Sequence, residues 1–122
     1  MADELKILMA EDEVITAMVM EAELRDAGFP VSRRVVSGEE AVSLAAEEAF
    51  HVVLMDIRLA GQIDGIEAAR RIQEIRKTPV IFMTGYQDEE TRRRAQAVSP
   101  IAYLVKPVNG AQLATLLSEV GS

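Results

Sequence analysis

The 122-residue sequence has no cysteine, no tryptophan, a single histidine and only four prolines. Without cysteine there is no disulfide framework, no thiolate metal site and no thiol nucleophile, and one histidine cannot furnish a polyhistidine metal site. No uninterrupted apolar run exceeds six residues, far below the ~20 that span a bilayer, and the N-terminus Met1-Ala2-Asp3-Glu4 is acidic where a secretory signal is basic. These absences predict a soluble, cytoplasmic protein with no membrane partner. Basic side chains are also short, 13 against 20 acidic, for a net charge of -7. That balance opposes a non-specific grip on nucleic acid, which needs clustered Lys and Arg, and leaves a cation or a basic partner open.

What is present suffices for a core. Hydrophobic residues make up 49% of the chain, and a length within the ~100–200 residues usual for one core predicts a single domain over residues 1–122. Four short apolar runs, Leu5 to Ala10, Val52 to Met55, Val80 to Met83 and Ile101 to Val105, are too short for good helices. Near-continuous and rich in β-branched residues, they read as strands covered on both faces of a parallel sheet. A fifth run, Val31 to Val36, carries Arg33 and Arg34 after Pro30 and reads as an edge strand.

Helical spacing fills the gaps. Val14 to Ala27 places Ile15, Met18, Val19 and Ala22 on one stripe with Met20 and Leu24 beside it, and stops at Gly28, which predicts a helix with a wide apolar face and Met18 and Met20 as core filler. Ser37 three residues before Glu40 forms a capping box ahead of Ala41 to Ala49. Asp64 with Glu67 starts a third helix that must end before Pro79, Asp88 caps a fourth through Val98, and Asn109 with Gln112 opens a fifth carrying Leu113, Leu116, Leu117 and Val120. The prediction is an α/β fold of five strands and five helices in strict alternation, with no internal repeat or linker.

In such open sheets ligands bind outside the carboxyl ends of the strands. Those ends read Glu11-Asp12-Glu13 after the first strand, Asp56 after the third, Thr84-Gly85 after the fourth and Lys106-Pro107 after the fifth. Singly, such groups are ordinarily solvated or helix-capping. Together, carboxylates crowded at one edge repel and must hold either protons or a cation, and all-oxygen ligands without sulfur or imidazole select Mg²⁺ or a similar hard ion such as Mn²⁺. A hydroxyl and an ammonium opposite the carboxylates suit a phosphoryl group, whose transfer depends on positioning and charge neutralisation.

These residues resemble the receiver domain of bacterial two-component response regulators, over essentially the whole chain. The acidic pair matches Glu11 and Asp12, the phosphoacceptor aspartate Asp56 in LMDIRL, the switch hydroxyl Thr84 in FMTG, the lysine Lys106 in LVKP, and the switch aromatic Tyr103. The resemblance implies a (βα)5 doubly wound, flavodoxin-like fold with a parallel sheet of order 2-1-3-4-5, and a cis peptide at Lys106-Pro107. It implies that Asp56 accepts a phosphoryl group from a histidine kinase or phosphotransfer protein. Asp12, Asp56 and the backbone carbonyl of Arg58 would ligate Mg²⁺, with Glu11 acting mainly through water. Lys106 and Thr84 would contact the phosphoryl oxygens, while Gly85 leaves room for the donor or an attacking water. Arg58 and Tyr86 occupy positions that tune the phosphoryl lifetime. Phosphorylation would draw Thr84 inward, let Tyr103 rotate, and change the face of the fourth helix, fifth strand and fifth helix for a downstream protein target. One departure stands out. The loop IRLAGQI between Asp56 and Asp64 is one residue longer than usual, with Ala60 and Gly61 where a proline is common.

The resulting expectation is a phosphoacceptor signalling domain, not a turnover enzyme, that catalyses only its own phosphorylation and dephosphorylation. A stand-alone receiver is the simplest form, and a receiver cut from a hybrid kinase or a longer regulator is the alternative. A non-phosphorylated interaction module would not require Glu11, Asp12, Asp56, Thr84 and Lys106 together. A flavodoxin-like cofactor binder is opposed by Glu11-Asp12-Glu13, which repel phosphate. Arg92-Arg93-Arg94 reads as a solvated face on a weakly packed helix, and His51 as an ordinary strand-start residue.

Overall fold

The computed structural model describes residues 5–85 and 88–120. Strands and helices alternate along them as β1 (Ile7–Ala10), α1 (Val14–Asp26), β2 (Arg33–Val35), α2 (Gly38–Glu47), β3 (Val52–Asp56), α3 (Gly65–Ile75), β4 (Val80–Thr84), α4 (Glu89–Gln96), β5 (Ala102–Val105) and α5 (Gly110–Val120). All four strand pairs are parallel and the sheet order is β2-β1-β3-β4-β5, the doubly wound arrangement that the family resemblance implied. Among the described residues no helix is long and apolar enough to cross a membrane.

The period of two along each strand divides the core into two layers. Leu8, Ala10, Val53, Met55, Val80 and Phe82 face Ala41 and Ala45 of α2, Ile66, Ala69 and Ile72 of α3, and Ala95 of α4. Ile7, Met9, Val52, Leu54, Ile81 and Met83 face Ala17, Met20 and Leu24 of α1 and Leu113 and Leu117 of α5. The central strands β1, β3 and β4 are buried along their whole length, so they need apolar side chains on both faces. β2 pairs on one side only, and its two arginines are exposed, which blunts that edge against pairing with another chain.

Helix starts follow the side chains read as caps. The Glu40 amide donates to Ser37 Oγ (3.1 Å), the Glu67 amide to Asp64 Oδ1 (2.8 Å), the Thr91 amide to Asp88 Oδ1 (2.7 Å) and the Gln112 amide to Asn109 Oδ1 (3.0 Å). The reciprocal half of the α2 box differs in detail, since Glu40 Oε1 accepts from the amide of Val36 and the hydroxyl of Ser37. His51 is the predicted strand-start residue: its amide donates to the Lys6 carbonyl and its Nδ1 accepts from the Lys6 amide.

The orientation of α1 corrects the sequence reading. Ala17, Met20 and Leu24 are buried, while Val14, Ile15, Met18 and Val19 are more than half exposed. Met18 is therefore not core filler. Ile15 precedes Leu24 by nine residues, half a turn around the helix axis at about 100° per residue, so the stripe chosen from spacing points away from the sheet. The segment Val14 to Met20 is apolar nearly all round, and periodicity cannot choose a face where apolar residues occupy all of them.

α4 is thinly packed, as predicted, with Ala95 as its one buried residue. Its arginines are exposed, yet two have partners. Arg94 Nη1 lies 2.9 Å from Asp64 Oδ2, tying α4 to the cap of α3, and the Arg92 guanidinium sits 5.4 Å from the centroid of the Tyr103 ring.

Candidate functional site

Parallel register carries the chemistry to one edge of the sheet. Ala10 is level with Met55, Asp56 with Met83, and Thr84 with Val105. Glu11 and Asp12 just beyond β1, Asp56 at the end of β3, Thr84 at the end of β4 and Lys106 just beyond β5 therefore converge. Alternation continues to the strand ends: Asp56 follows Val52 and Leu54 toward α1 and α5, and Thr84 follows Val80 and Phe82 toward α3 and α4.

Lys106 is the hub. Its Nζ donates to Glu11 Oε1 at 2.7 Å and to Asp56 Oδ2 at 2.8 Å, and lies 3.7 Å from Glu13 Oε1. Glu11 is wholly buried and Asp56 is 4% exposed, so the ammonium compensates two carboxylates withdrawn from water. The remaining oxygens also have donors, since the Glu13 amide donates to Glu11 Oε2 (3.0 Å) and the Arg58 amide to Asp56 Oδ1 (3.2 Å). Burial lifts the Asp56 carboxyl to about 6; Lys106 opposes that lift and the Glu11 charge adds to it. Burial works against the Lys106 ammonium, but its hydrogen bonds to Asp56 and Glu11 outweigh it and carry its pKa above the ordinary value. Lys106-Pro107 is cis, as the resemblance implied.

Carboxylate oxygens of Glu11, Asp12 and Asp56 all lie within 4.8 Å of one another, and Asp12 is exposed at the mouth. Three hard oxygen donors with one lysine between them fit a divalent cation of the Mg²⁺ type, which retains water on its open side. The site opens into a cleft of about 370 Å³ whose lining includes Asp12, Asp56, Arg58, Gly85 and Lys106. A Cβ added at Gly85 would meet nothing within 4 Å, so its hydrogen leaves the cleft mouth clear. Gly65 has the opposite role. A Cβ there would collide with the Asp56 carbonyl, and the close approach lets the Gly65 amide donate to the Ile57 carbonyl at 2.7 Å, seating α3 directly behind the acidic strand end.

Residues 7–118 match the family described as the response regulator receiver domain. The chain belongs to this family. The receiver is 34% identical over 102 residues to the transcriptional regulatory protein PdtaR of Mycobacterium tuberculosis, covering 84% of the chain and 49% of PdtaR. It is 32% identical over 108 residues to the transcriptional regulatory protein ZraR of Escherichia coli K12, covering 88% of the chain but 24% of ZraR. The chain thus spans about half or less of these curated relatives. Among solved structures, the signal receiver domain of a modulated diguanylate cyclase from Desulfovibrio desulfuricans superposes with TM-score 0.89 at 36% identity, covering 97% of this chain and 94% of that one. The receiver domain of the sensor histidine kinase PA1611 from Pseudomonas aeruginosa, which has a magnesium ion coordinated in its active-site cleft, gives TM-score 0.86 at 31% identity over 98% of this chain and all of that one.

The structure brings together Glu11, Asp12, Asp56, Arg58 and Lys106, and buries Thr84 at the adjoining strand end, where its carbonyl accepts from the Lys106 amide. Tyr103 lies apart, half-buried under Arg92 on the α4 side, and Tyr86 falls outside the described residues. Two residues near the site had no role assigned from the sequence. Glu13 was legible as the third member of the acidic triplet. Glu39 was not, because its contact with the loop after Asp56 joins residues 23 apart.

Proposed function

We propose that the receiver accepts a phosphoryl group on Asp56 from the phosphohistidine of a histidine kinase or phosphotransfer protein, in a reaction that requires Mg²⁺ or Mn²⁺. The observation that carries this reading is the buried Asp56 carboxylate, held 2.8 Å from Lys106 Nζ and within 4.8 Å of the Glu11 and Asp12 oxygens, beside an open cleft.

An Asp56 carboxylate oxygen attacks phosphorus; the new P–O bond forms as the P–N bond to the donor imidazole breaks, and the imidazole nitrogen keeps the electron pair. Asp12, Asp56 and the Arg58 carbonyl would hold the cation, with Glu11 acting through water and through its hold on Lys106. Bound there, the cation supplies positive charge to the phosphoryl oxygens in the transition state. Lys106 moves its hydrogen bond from Asp56 to a phosphoryl oxygen, and Thr84 donates to another. Gly85 keeps the line of approach open, while Arg58 and Tyr86 tune how long the acyl phosphate survives.

The same reading makes the domain a switch. Phe82 is level with Tyr103, and Thr84 lies two residues further along the same face of β4, so the two switch residues are diagonal neighbours. Inward movement of Thr84 therefore bears directly on the Tyr103 ring and alters the α4, β5 and α5 face for a downstream target. The exposed apolar side of α1, starting three residues after Glu11, is suited to the donor. Residues 1–122 are read as one receiver domain, a cytoplasmic phosphoacceptor and not a turnover enzyme.

Intact mass after incubation with a small phosphodonor tests the proposal. The expected result is one phosphoryl adduct that needs both the divalent cation and Asp56, absent in Asp56→Asn. No adduct, together with no binding of beryllofluoride to the folded protein, overturns it.

A further inference from the structure

The loop joining β3 to α3 carries Arg58, so what holds it matters for the cation. It is fastened to the N-terminus of α2 at successive positions. Ala60 pairs with Ser37 in an isolated parallel bridge. The Gln62 amide donates to Glu39 Oε2 at 2.8 Å. Ile63 packs on Gly38 so closely that a Cβ there would meet Ile63 Cγ1 at 2.8 Å.

Gly61 sits between these contacts with φ +96°, where a side chain would be strained and would also strike the Glu39 carboxylate. The amide of Gln62, then those of Glu39 itself and Ile63, keep that carboxyl below the ordinary range. The receiving end is itself rigid, because Ser37 caps α2.

We propose that Glu39 is a positioning residue for the divalent cation: by clamping the loop at Gly61-Gln62 it fixes the Arg58 carbonyl as a ligand. This rests on the reading of Glu11, Asp12 and Asp56 as a cation site. Mg²⁺ demands near-ideal octahedral geometry, and a carbonyl on a surface loop meets that demand only if the loop is held on both sides. On the strand side, the Arg58 amide is anchored to Asp56 Oδ1. On the far side, Glu39 is the anchor, through the Gln62 amide. Glu39 contributes a hydrogen-bond acceptor and not charge at the metal, so an amide in its place preserves the clamp.

Calorimetric titration of Mg²⁺ into the wild type, Glu39→Gln, Glu39→Ala and Gly61→Ala tests this. Glu39→Ala is expected to bind about tenfold more weakly, as loss of an outer-shell partner does, and Glu39→Gln to remain within about twofold of the wild type. Gly61→Ala, which pushes the loop off the carboxylate, should match Glu39→Ala, and it carries the comparison if Glu39→Ala fails to fold. Wild-type affinity in both Glu39→Ala and Gly61→Ala, or equal loss in Glu39→Gln and Glu39→Ala, overturns the clamp while leaving the cation site standing. A wild type that binds no Mg²⁺ overturns the underlying reading and the clamp with it.

Discussion

At the carboxyl edge of the sheet Glu11 and Asp56 are buried around Lys106, whereas three residues along the chain Val14, Ile15, Met18 and Val19 stand exposed on α1. Both regions invert the ordinary partition of side chains, in opposite senses. Burying charge is costly unless each group is paired and hydrogen-bonded, and the site meets that condition with one lysine and two backbone amides. Leaving four neighbouring apolar side chains in water forgoes the stabilisation that their burial would bring.

Stability measurements sharpen the contrast. The largest effect belongs to the buried side of α1: Leu24→Ala should lose about 3 kcal/mol in urea unfolding, from lost transfer energy plus the cavity left between α1 and the sheet. A loss under about 1 kcal/mol would mean that this layer is not the packed one.

Asp56→Asn should act in the other direction. The folded-state pKa of Asp56 is about 6 against an ordinary 3.8, so between those values the folded chain holds a proton that the unfolded chain has released. The stability Asp56 contributes is therefore fully present below about pH 4, declines as pH rises, and is gone above about 6. At pH 7 Asp56→Asn should be more stable than the wild type by on the order of 1–2 kcal/mol, less than the full shift because water in the open cleft solvates part of the charge. The gain should vanish near pH 4. A destabilised variant at pH 7 would show that the Lys106 pair outweighs the burial of charge.

The smallest effect is expected on the outer face of α1. Ile15→Ser should change stability by no more than about 0.5 kcal/mol, yet slow phosphoryl transfer from a histidine donor while leaving labelling by a small phosphodonor unchanged. Wild-type rates in Ile15→Ser with both donors would separate the exposed patch from donor docking.

Much of this organisation was legible beforehand. β1, β3 and β4 announced themselves as short, doubly buried apolar runs, and Ser37, Asp64, Asp88 and Asn109 marked helix starts because capping is a local interaction. Glu11, Asp12, Asp56, Thr84 and Lys106 could be grouped because parallel strands deliver their carboxyl ends to one edge. The face of α1 was not legible. Its first two turns are apolar nearly all round, and burial was decided by which stripe met β1, β3 and α5. Nor could spacing reveal that Arg94 reaches Asp64 or that Glu39 grips Gln62, since both contacts join separate elements.

The order of residues alone specified the alternation of elements, the parallel sheet and the convergence of acid, hydroxyl and ammonium, because periodicity, capping and strand direction are short-range properties. Packing chose the buried side of α1, the pairing of Lys106 with Glu11 as well as Asp56, and the docking of the β3–α3 loop on α2. Each of these depends on distances between segments far apart in the chain, and such distances exist only once the layers have closed on one another.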